Sequence, residues 1–320
     1  MKNEQGLLTG ASGFVGKALA GELLRQGYAL NMAFRRIPSK VLEGAVAIPV
    51  GNIEGDTLWS DALAGVDTVI HSAARVHVMN DHALDPLAEF RKVNVEGTLN
   101  LARQAAAAGV KRFVFVSSIK VNGESTTADS PFKPDDVPAP SDPYGISKLE
   151  AEIGLRQVCE EAGMEYAIVR PVLVYGPGVK ANFLNMMKWL DKGIPLPLGA
   201  IKNRRSLVSL TNLMDMLITV ASHPAAANQV FLVSDGEDLS TTGLLRRMAA
   251  AMGKRANLLP VPESLLKTAA LLLGKKSVGQ RLCGSLQVDI SKNKQLLDWN
   301  PPLSVDQGLQ RVAEYYLEYR

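Results

Sequence analysis

The chain has 320 residues, 47% of them hydrophobic and 21% charged, with a formal net charge of +3. That length carries one large domain or two moderate ones around a substantial core. The small charge and the lack of a dense basic run give no case for a nucleic-acid partner, and two cysteines, Cys159 and Cys283, form neither a disulfide framework nor a metal-ligand spacing.

In chain order, residues 1–6 are polar and lack the apolar region of a signal peptide, so a cytoplasmic protein is expected. Leu7 and Leu8 close a first strand, and Thr9-Gly10-Ala11-Ser12-Gly13-Phe14-Val15-Gly16 follows. A helix over 17–26, stopped by Gly27, comes next. Glycines between a strand and a helix let the backbone approach a pyrophosphate, whose charge then rests on the helix N-terminus. Gly10, Gly13 and Gly16, with Ser12, Phe14 and Val15 among them, are therefore candidate dinucleotide contacts, an ordinary tight turn being the plain alternative. A second strand over 29–34 delivers Arg35 and Arg36 to the place of the adenosine ribose. An acidic residue there would grip the hydroxyls of NAD(H), whereas arginine suits a 2′-phosphate. No Asp or Glu lies between Tyr28 and Val41, which favours NADP(H) and leaves NAD(H) as the alternative.

A third strand over 46–50 is followed by Asn52 and Ile53, where the adenine edge is expected. A helix over 58–63 and a fourth strand over 66–71 lead to His71-Ser72-Ala73-Ala74, and small residues such as Ala73 and Ala74 leave room for a cofactor. His71, His77 and His82 lack metal-ligand partners and read as structural or loop residues; no metal site is expected. A helix over 85–108 carries Asn94, and a fifth strand over 112–116 ends in Ser117-Ser118, whose hydroxyl can meet a substrate oxygen.

A loop over 123–142, rich in Pro, Asp and Ser, leads to Asp142-Pro143-Tyr144-Gly145-Ile146-Ser147-Lys148. Asp142 caps a helix here, Pro143 takes its first position and Gly163 stops it. Tyr144 and Lys148 are four apart and share one face. A phenol with a pKa of about 10 trades protons poorly at neutral pH, and an ammonium one turn away is expected to pull that value down. A solvated helix face is the plain alternative for the pair.

A sixth strand over 167–169 precedes Arg170-Pro171-Val172-Leu173-Val174-Tyr175-Gly176-Pro177-Gly178. The β–α alternation in order implies an α/β fold built on a doubly wound parallel sheet. Residues 1–170 read as a dinucleotide-binding domain, and 171–320 as a smaller, mainly substrate-binding lobe with some segments returning to the first. That lobe holds the basic run 202–205, a late strand over 230–233 and a helix over 241–252. Its apolar window, 265–273, is too short to span a bilayer and is expected to be a buried or partner-facing helix.

Read together, the glycine turn, His71-Ser72-Ala73-Ala74, Asn94-Val95-Glu96-Gly97-Thr98, Ser117-Ser118, Tyr144-x-x-x-Lys148 and the 170–178 segment resemble the extended short-chain dehydrogenase/reductases, in their nucleotide-sugar epimerase, dehydratase and reductase branch. The resemblance covers nearly the whole length, since 289–292 and 297–301 look like that branch's C-terminal elements. It implies a catalytic triad of Ser118, Tyr144 and Lys148, and cofactor contacts that include Asn94, Pro171 and Val174. It further implies substrate contacts from Lys120, Asn122, Asn182, Arg205 and Arg281, a UDP-sugar substrate, and a homodimer through two helices of each subunit, with Leu149, Ile153 and Val158 as candidate contacts. A solvated basic loop is the alternative for Arg204 and Arg205.

Three departures stand out: Val121-Asn122-Gly123 where many relatives have Val-Tyr-Gly, Asn52 in place of an aspartate, and the Arg35-Arg36 pair. An epimerase returns its hydride to the same substrate and keeps NAD bound, whereas a net reductase exchanges its cofactor every turnover. The run from Ser117 to Glu124 resembles a bacterial subgroup that includes reductases of UDP-4-keto-6-deoxy-N-acetylglucosamine in surface-polysaccharide synthesis. A 4-ketoreductase of a UDP-sugar is therefore expected, with a UDP-sugar 4-epimerase as the alternative. A non-catalytic dinucleotide sensor is a third class, but such proteins typically lose the tyrosine or lysine that this chain keeps.

Overall fold

The computed structural model describes residues 4–76, 85–127, 130–274 and 276–320; His77 and His82 lie outside them. A seven-stranded parallel sheet forms the centre. Gln5–Thr9 (β1) is flanked on one side by Ala29–Phe34 (β2) and then Ala45–Pro49 (β3). On the other side lie Thr68–His71 (β4), Arg112–Val116 (β5) and Glu165–Pro171 (β6). The chain therefore reverses its direction of travel between β1 and β4, and the crevice at such a switch point is where a doubly wound sheet takes its ligand.

Parallel strands covered on both faces read as continuous apolar runs, and β5 does so with Phe113-Val114-Phe115, all fully buried. Truncating a ring such as Phe113 to alanine costs about 3–5 kcal/mol. Helices pack over the sheet. Phe14–Arg25 (α1) follows β1, and Ser60–Leu63 (α2) precedes β4. The expected helix over 85–108 is divided: Pro86–Arg91 (α3) runs into a π-helical turn at Lys92–Gly97 before Thr98–Ala107 (α4). A Cβ on Gly97 would lie 2.7 Å from the Ile53 side chain, so this turn presses directly on the segment after β3. Pro143–Ala162 (α5) begins and ends as expected, with the Asp142 carboxylate accepting from Gly145 N at 2.7 Å and Gly163 in the left-handed region at φ 69°.

Beyond β6 the chain builds a second, three-stranded sheet from Leu173–Tyr175 (β7), Arg205–Ser209 (β8) and the short Asp238–Leu239 (β10). Between them lie Ala181–Asp191 (α6), Leu210–Ser222 (α7) and Gln229–Val233 (β9), and β9 returns to the large sheet beside β6. Thr241–Ala251 (α8), Glu263–Leu272 (α9), Lys276–Cys283 (α10), Ser291–Leu297 (α11) and Val305–Tyr319 (α12) complete the fold. A separate apolar core joins α6, α8 and α12 through Phe183, Met187, Leu245, Met248 and Leu309. Of the two expectations for 265–273, a buried or a partner-facing helix, burial is not met: none of the residues of α9 is buried. Among the described residues no helix is long and apolar enough to cross a membrane.

Candidate active site

The glycine turn stands at the end of β1. Gly10 has φ 73°, and a Cβ there would fall 2.8 Å from both Ala73 N and Ser72 Oγ. A Cβ on Gly16 would lie 2.2 Å from the Gly10 carbonyl oxygen. The helix can approach the turn this closely only because both side chains are missing. Gly13 caps the twelve-residue α1 without any side-chain acceptor, so no side chain of its own covers that anion-attracting end. Ser12 and Phe14 are exposed around it, and Val15 is half-buried. The turn fits a pyrophosphate.

Around the turn the Thr9 hydroxyl meets His71 Nδ1 at 2.7 Å and accepts from Ala73 N at 3.2 Å, while Ser72 Oγ donates to the Thr9 carbonyl at 2.7 Å. His71 Nε2 faces Thr98 Oγ1 at 3.0 Å. Burial, and secondarily the Lys148 charge, push the His71 pKa down to about 3, so this imidazole stays neutral and braces the turn. Ala73 and Ala74 are half-buried beside it. Arg35 and Arg36 are exposed immediately beyond β2. Asn52 is exposed and its carbonyl accepts from Thr57 Oγ1 at 2.6 Å, with Ile53 half-buried next to it. Pro171 is buried at the end of β6 and Val174 half-buried in β7.

Two expected ligand contacts are internal braces instead. Asn94, turned inward by the π-helical segment, donates to the Arg75 carbonyl and Ser147 Oγ, each at 3.0 Å, and accepts from Arg75 N at 2.8 Å. Asn122 is 2% exposed; it donates to the Lys133 carbonyl at 2.9 Å and accepts from Arg170 Nη1 at 2.9 Å. Both amides are consumed within the protein, because leaving them unpaired in a buried site would be costly.

The catalytic candidates converge at the carboxyl end of β5. Ser118 caps a short 3₁₀ turn, accepting from Lys120 N at 3.2 Å, and its hydroxyl is near enough to the Tyr144 phenol to favour the ionised form. Tyr144 sits in the first turn of α5, edge-on to Phe90 with the rings 5.9 Å apart. One turn later Lys148 Nζ donates to the Val116 carbonyl at 2.8 Å and stands 3.8 Å from the centre of the Phe115 ring. Expected lowering of the phenol pKa is not what the geometry gives. Burial pushes Tyr144 up to about 12, the Asp142 charge acting the same way and the Ser118 hydroxyl against it. Burial also brings Lys148 down to about 7, opposed by the Glu152 charge. Desolvation is the leading cause for both groups.

Sequence reasoning overlooked the network behind this site. Glu152 lies one turn after Lys148, is fully buried, and accepts from Arg170 Nε at 2.9 Å, Arg170 Nη2 at 2.6 Å and Ser117 Oγ at 2.5 Å. This bidentate pair fastens α5 to β6 and to the residue before Ser118. The signal was present: Lys148-x-x-x-Glu152 continues the same helical face, and Arg170 opens the 170–178 segment. Lys120 spends its ammonium on Asp142 and on Glu124 at 3.3 Å.

Farther along, Asn182 is exposed in the first turn of α6. Arg205 opens β8 and donates through Nη1 to the carbonyls of Gly284 at 3.1 Å and Arg281 at 3.4 Å. Burial, and then the nearby Arg281 charge, hold Arg205 below its ordinary guanidinium value. The two guanidinium groups therefore stand within each other's field.

Residues 6–234 match the model of the NAD dependent epimerase/dehydratase family. The chain belongs to this family. A UDP-glucose 4-epimerase of Vibrio cholerae is 48% identical over 314 residues, covering 98% of this chain and 95% of that one. The N-acetyl-alpha-D-glucosaminyl-diphospho-ditrans,octacis-undecaprenol 4-epimerase of Escherichia coli O157:H7 is 27% identical, covering 98% and 95%. Among solved structures, the UDP-glucose 4-epimerase of Thermotoga maritima with UDP-glucose superposes with a TM-score of 0.77 at 23% identity, over 98% of this chain and 99% of that one. Bordetella bronchiseptica WbmG in complex with NAD gives 0.77 at 22%, covering 99% and 95%. At these identities the structural likeness speaks for the epimerase/dehydratase fold.

Proposed function

We propose that this epimerase/dehydratase-family protein is a nicotinamide-dependent oxidoreductase acting at C4 of a UDP-sugar, and that it works as a 4-ketoreductase. The observation that carries this reading is the meeting of Ser118, Tyr144 and Lys148 at the end of β5, beside the glycine turn at the switch point. When bound there, the nicotinamide supplies or accepts the hydride. Tyr144, kept protonated by burial, hands its proton to the C4 carbonyl oxygen. Ser118 hydrogen-bonds that same oxygen as charge develops on it. Lys148 holds the ribose hydroxyls of the cofactor, and Arg205 with Arg281 receives the diphosphate of the sugar nucleotide.

Arg35 and Arg36, exposed at the end of β2 with no acidic residue near them in sequence, support NADPH as the exchangeable donor. The Vibrio cholerae relative supports the second reading, a UDP-sugar 4-epimerase with retained NAD. Purified protein separates the two. A reductase consumes one NADPH per 4-keto sugar nucleotide and loses its cofactor on gel filtration, while an epimerase retains NAD(H) and interconverts UDP-sugars without net oxidation. Failure of both assays contradicts the reading. The same reading makes the protein a homodimer through α4 and α5, where Ile153 is 58% exposed; a monomer by light scattering contradicts that part.

A further inference from the structure

Ser118 and Tyr144 reach the site from two separate pieces of chain, and the side chains that join those pieces stand two positions from each. On one side the 3₁₀ turn Ile119–Val121 follows Ser118; on the other, Asp142 precedes the first turn of α5. Backbone packing presses the two together: a Cβ on Gly145 would lie 2.9 Å from the Lys120 carbonyl oxygen and 3.1 Å from the Pro140 side chain. Over this contact lies an ion pair, Lys120 Nζ with one Asp142 carboxylate oxygen, while the other oxygen accepts from Gly145 N at 2.7 Å. The main chain of Lys120 is tied to the same centre, its N–H donating to Ser118 Oγ at 3.2 Å. Both partners are partly open to solvent, with side chains 33% and 23% exposed, so the pair by itself adds little stability. Its place sets it apart: the Asp142 charge favours the protonated Tyr144 phenol, and the Lys120 ammonium sits on that carboxylate. Other charges on the elements around Tyr144 have partners of their own. Lys148 donates to the Val116 carbonyl, Arg91 of α3 pairs with Glu150 at 2.6 Å, Arg75 lies over the Phe90 ring at 5.6 Å, and Glu124 shares Lys120 at 3.3 Å.

We propose that Lys120 is a positioning residue: paired with Asp142, it fixes the Ser118 turn against the start of α5 and offsets that carboxylate beside the Tyr144 phenol. This rests on the proposed role of Tyr144 in proton transfer. It replaces a substrate contact by an internal one, since the ammonium is engaged with the protein's own carboxylates. With Lys120 in place the phenol releases its proton more readily than a bare Asp142 would allow. Without it, the uncompensated carboxylate holds the proton on Tyr144. The charge can be removed without uncapping α5, because asparagine caps a helix about as well as aspartate.

Titration of the Tyr144 phenol tests this without any sugar. Phenolate absorbance of the full chain saturated with NADP+ or NAD+, read as the difference from the same protein carrying Tyr144→Phe, follows that one group. Relative to wild type, Lys120→Met is expected to move the midpoint up by about half a pH unit or more, and Lys120→Arg to leave it in place. Asp142→Asn is expected to move it down, and Lys120→Met added to Asp142→Asn to shift nothing further. An unmoved midpoint in Lys120→Met overturns the proposal. So does an equal shift with and without the Asp142 carboxylate, which would make Lys120 act on the phenol directly. No Tyr144 signal up to the alkaline unfolding of Asp142→Asn overturns it as well, since the carboxylate would then not govern the phenol. Turnover of a UDP-4-keto sugar with NADPH separates this from the reading it rests on. The expected shifts in a wild type that reduces no such sugar uphold the pair and remove the reductase; turnover abolished by Tyr144→Phe, with no shift in Lys120→Met, overturns the pair alone.

Discussion

The helices α5 and α9 break the usual distribution of polarity in opposite directions. α5 hides Ser147, Lys148 and Glu152, each at most 1% exposed, whereas no residue of α9 is buried and Leu265 and Leu271–Leu272 lie in the open. Burying an ion costs several kcal/mol unless partners compensate: Arg170 and Ser117 do so for Glu152, whereas the Val116 carbonyl and Phe115 ring offset the burial of Lys148 only in part, and its pKa falls to about 7. An exposed leucine carries no such penalty and no such network. The first helix is held rigid around its polar groups, as the proposed proton transfer requires; the second turns leucines outward.

The contrast can be broken most sharply at Tyr144. Tyr144→Phe is expected to lower kcat by about 10²–10⁴-fold while cofactor affinity, read by fluorescence titration, is kept. Undiminished turnover would remove α5 from the chemistry. Next in size is the hidden ion pair. Glu152→Gln leaves the buried Arg170 without its carboxylate and should cost about 3–5 kcal/mol in urea unfolding, whereas Glu152→Leu/Arg170→Met should recover most of that loss. Equal stability of the single and double variants would show that the pair is not what fastens α5 to β6.

A pH series sharpens the comparison further. Lys148 titrates at about 7 in the folded chain against 10.5 for an ordinary lysine, so between those values the unfolded chain holds a proton that the folded one lacks. This group therefore makes stability rise with pH across that window, and its cost is constant below it. Relative to Lys148→Met, wild type should gain stability steadily from pH 7 to 10 in thermal unfolding; a flat difference would mean that Lys148 is not desolvated. Smallest of all, Leu272→Ser should change stability by no more than about 0.5 kcal/mol. A large loss would show that Leu272 itself packs against the body, as Leu266 on the same helix does.

Much of the first half was legible because local signals and the final fold agree there. The glycine turn, the β–α alternation, Asp142 and Pro143 at the start of α5, and Gly163 at its end each follow from short-range chemistry. The short strands β7, β8 and β10 were not legible, since they exist only through pairing with one another. Asn94 and Asn122 read as ligand contacts in sequence, and only the π-helical turn and the distant Arg170 show their amides engaged inside the protein. The Tyr144 phenol was misjudged for a similar reason: spacing reveals its cationic neighbour but not the burial that governs both groups. Arg205 and Arg281 are far apart in the chain, and it is the bond from Arg205 to the Arg281 and Gly284 carbonyls that shows them together.

The account stands on hydride transfer at sugar C4 with Tyr144 supplying the proton. Turnover of a UDP-4-keto sugar with NADPH carrying deuterium on the reactive face of nicotinamide C4, read by NMR of the product, tests this directly. Deuterium at C4 of the sugar with wild type, and its loss with Tyr144→Phe, is the predicted result. Product formed without deuterium at C4, or formed equally well by Tyr144→Phe, would contradict it.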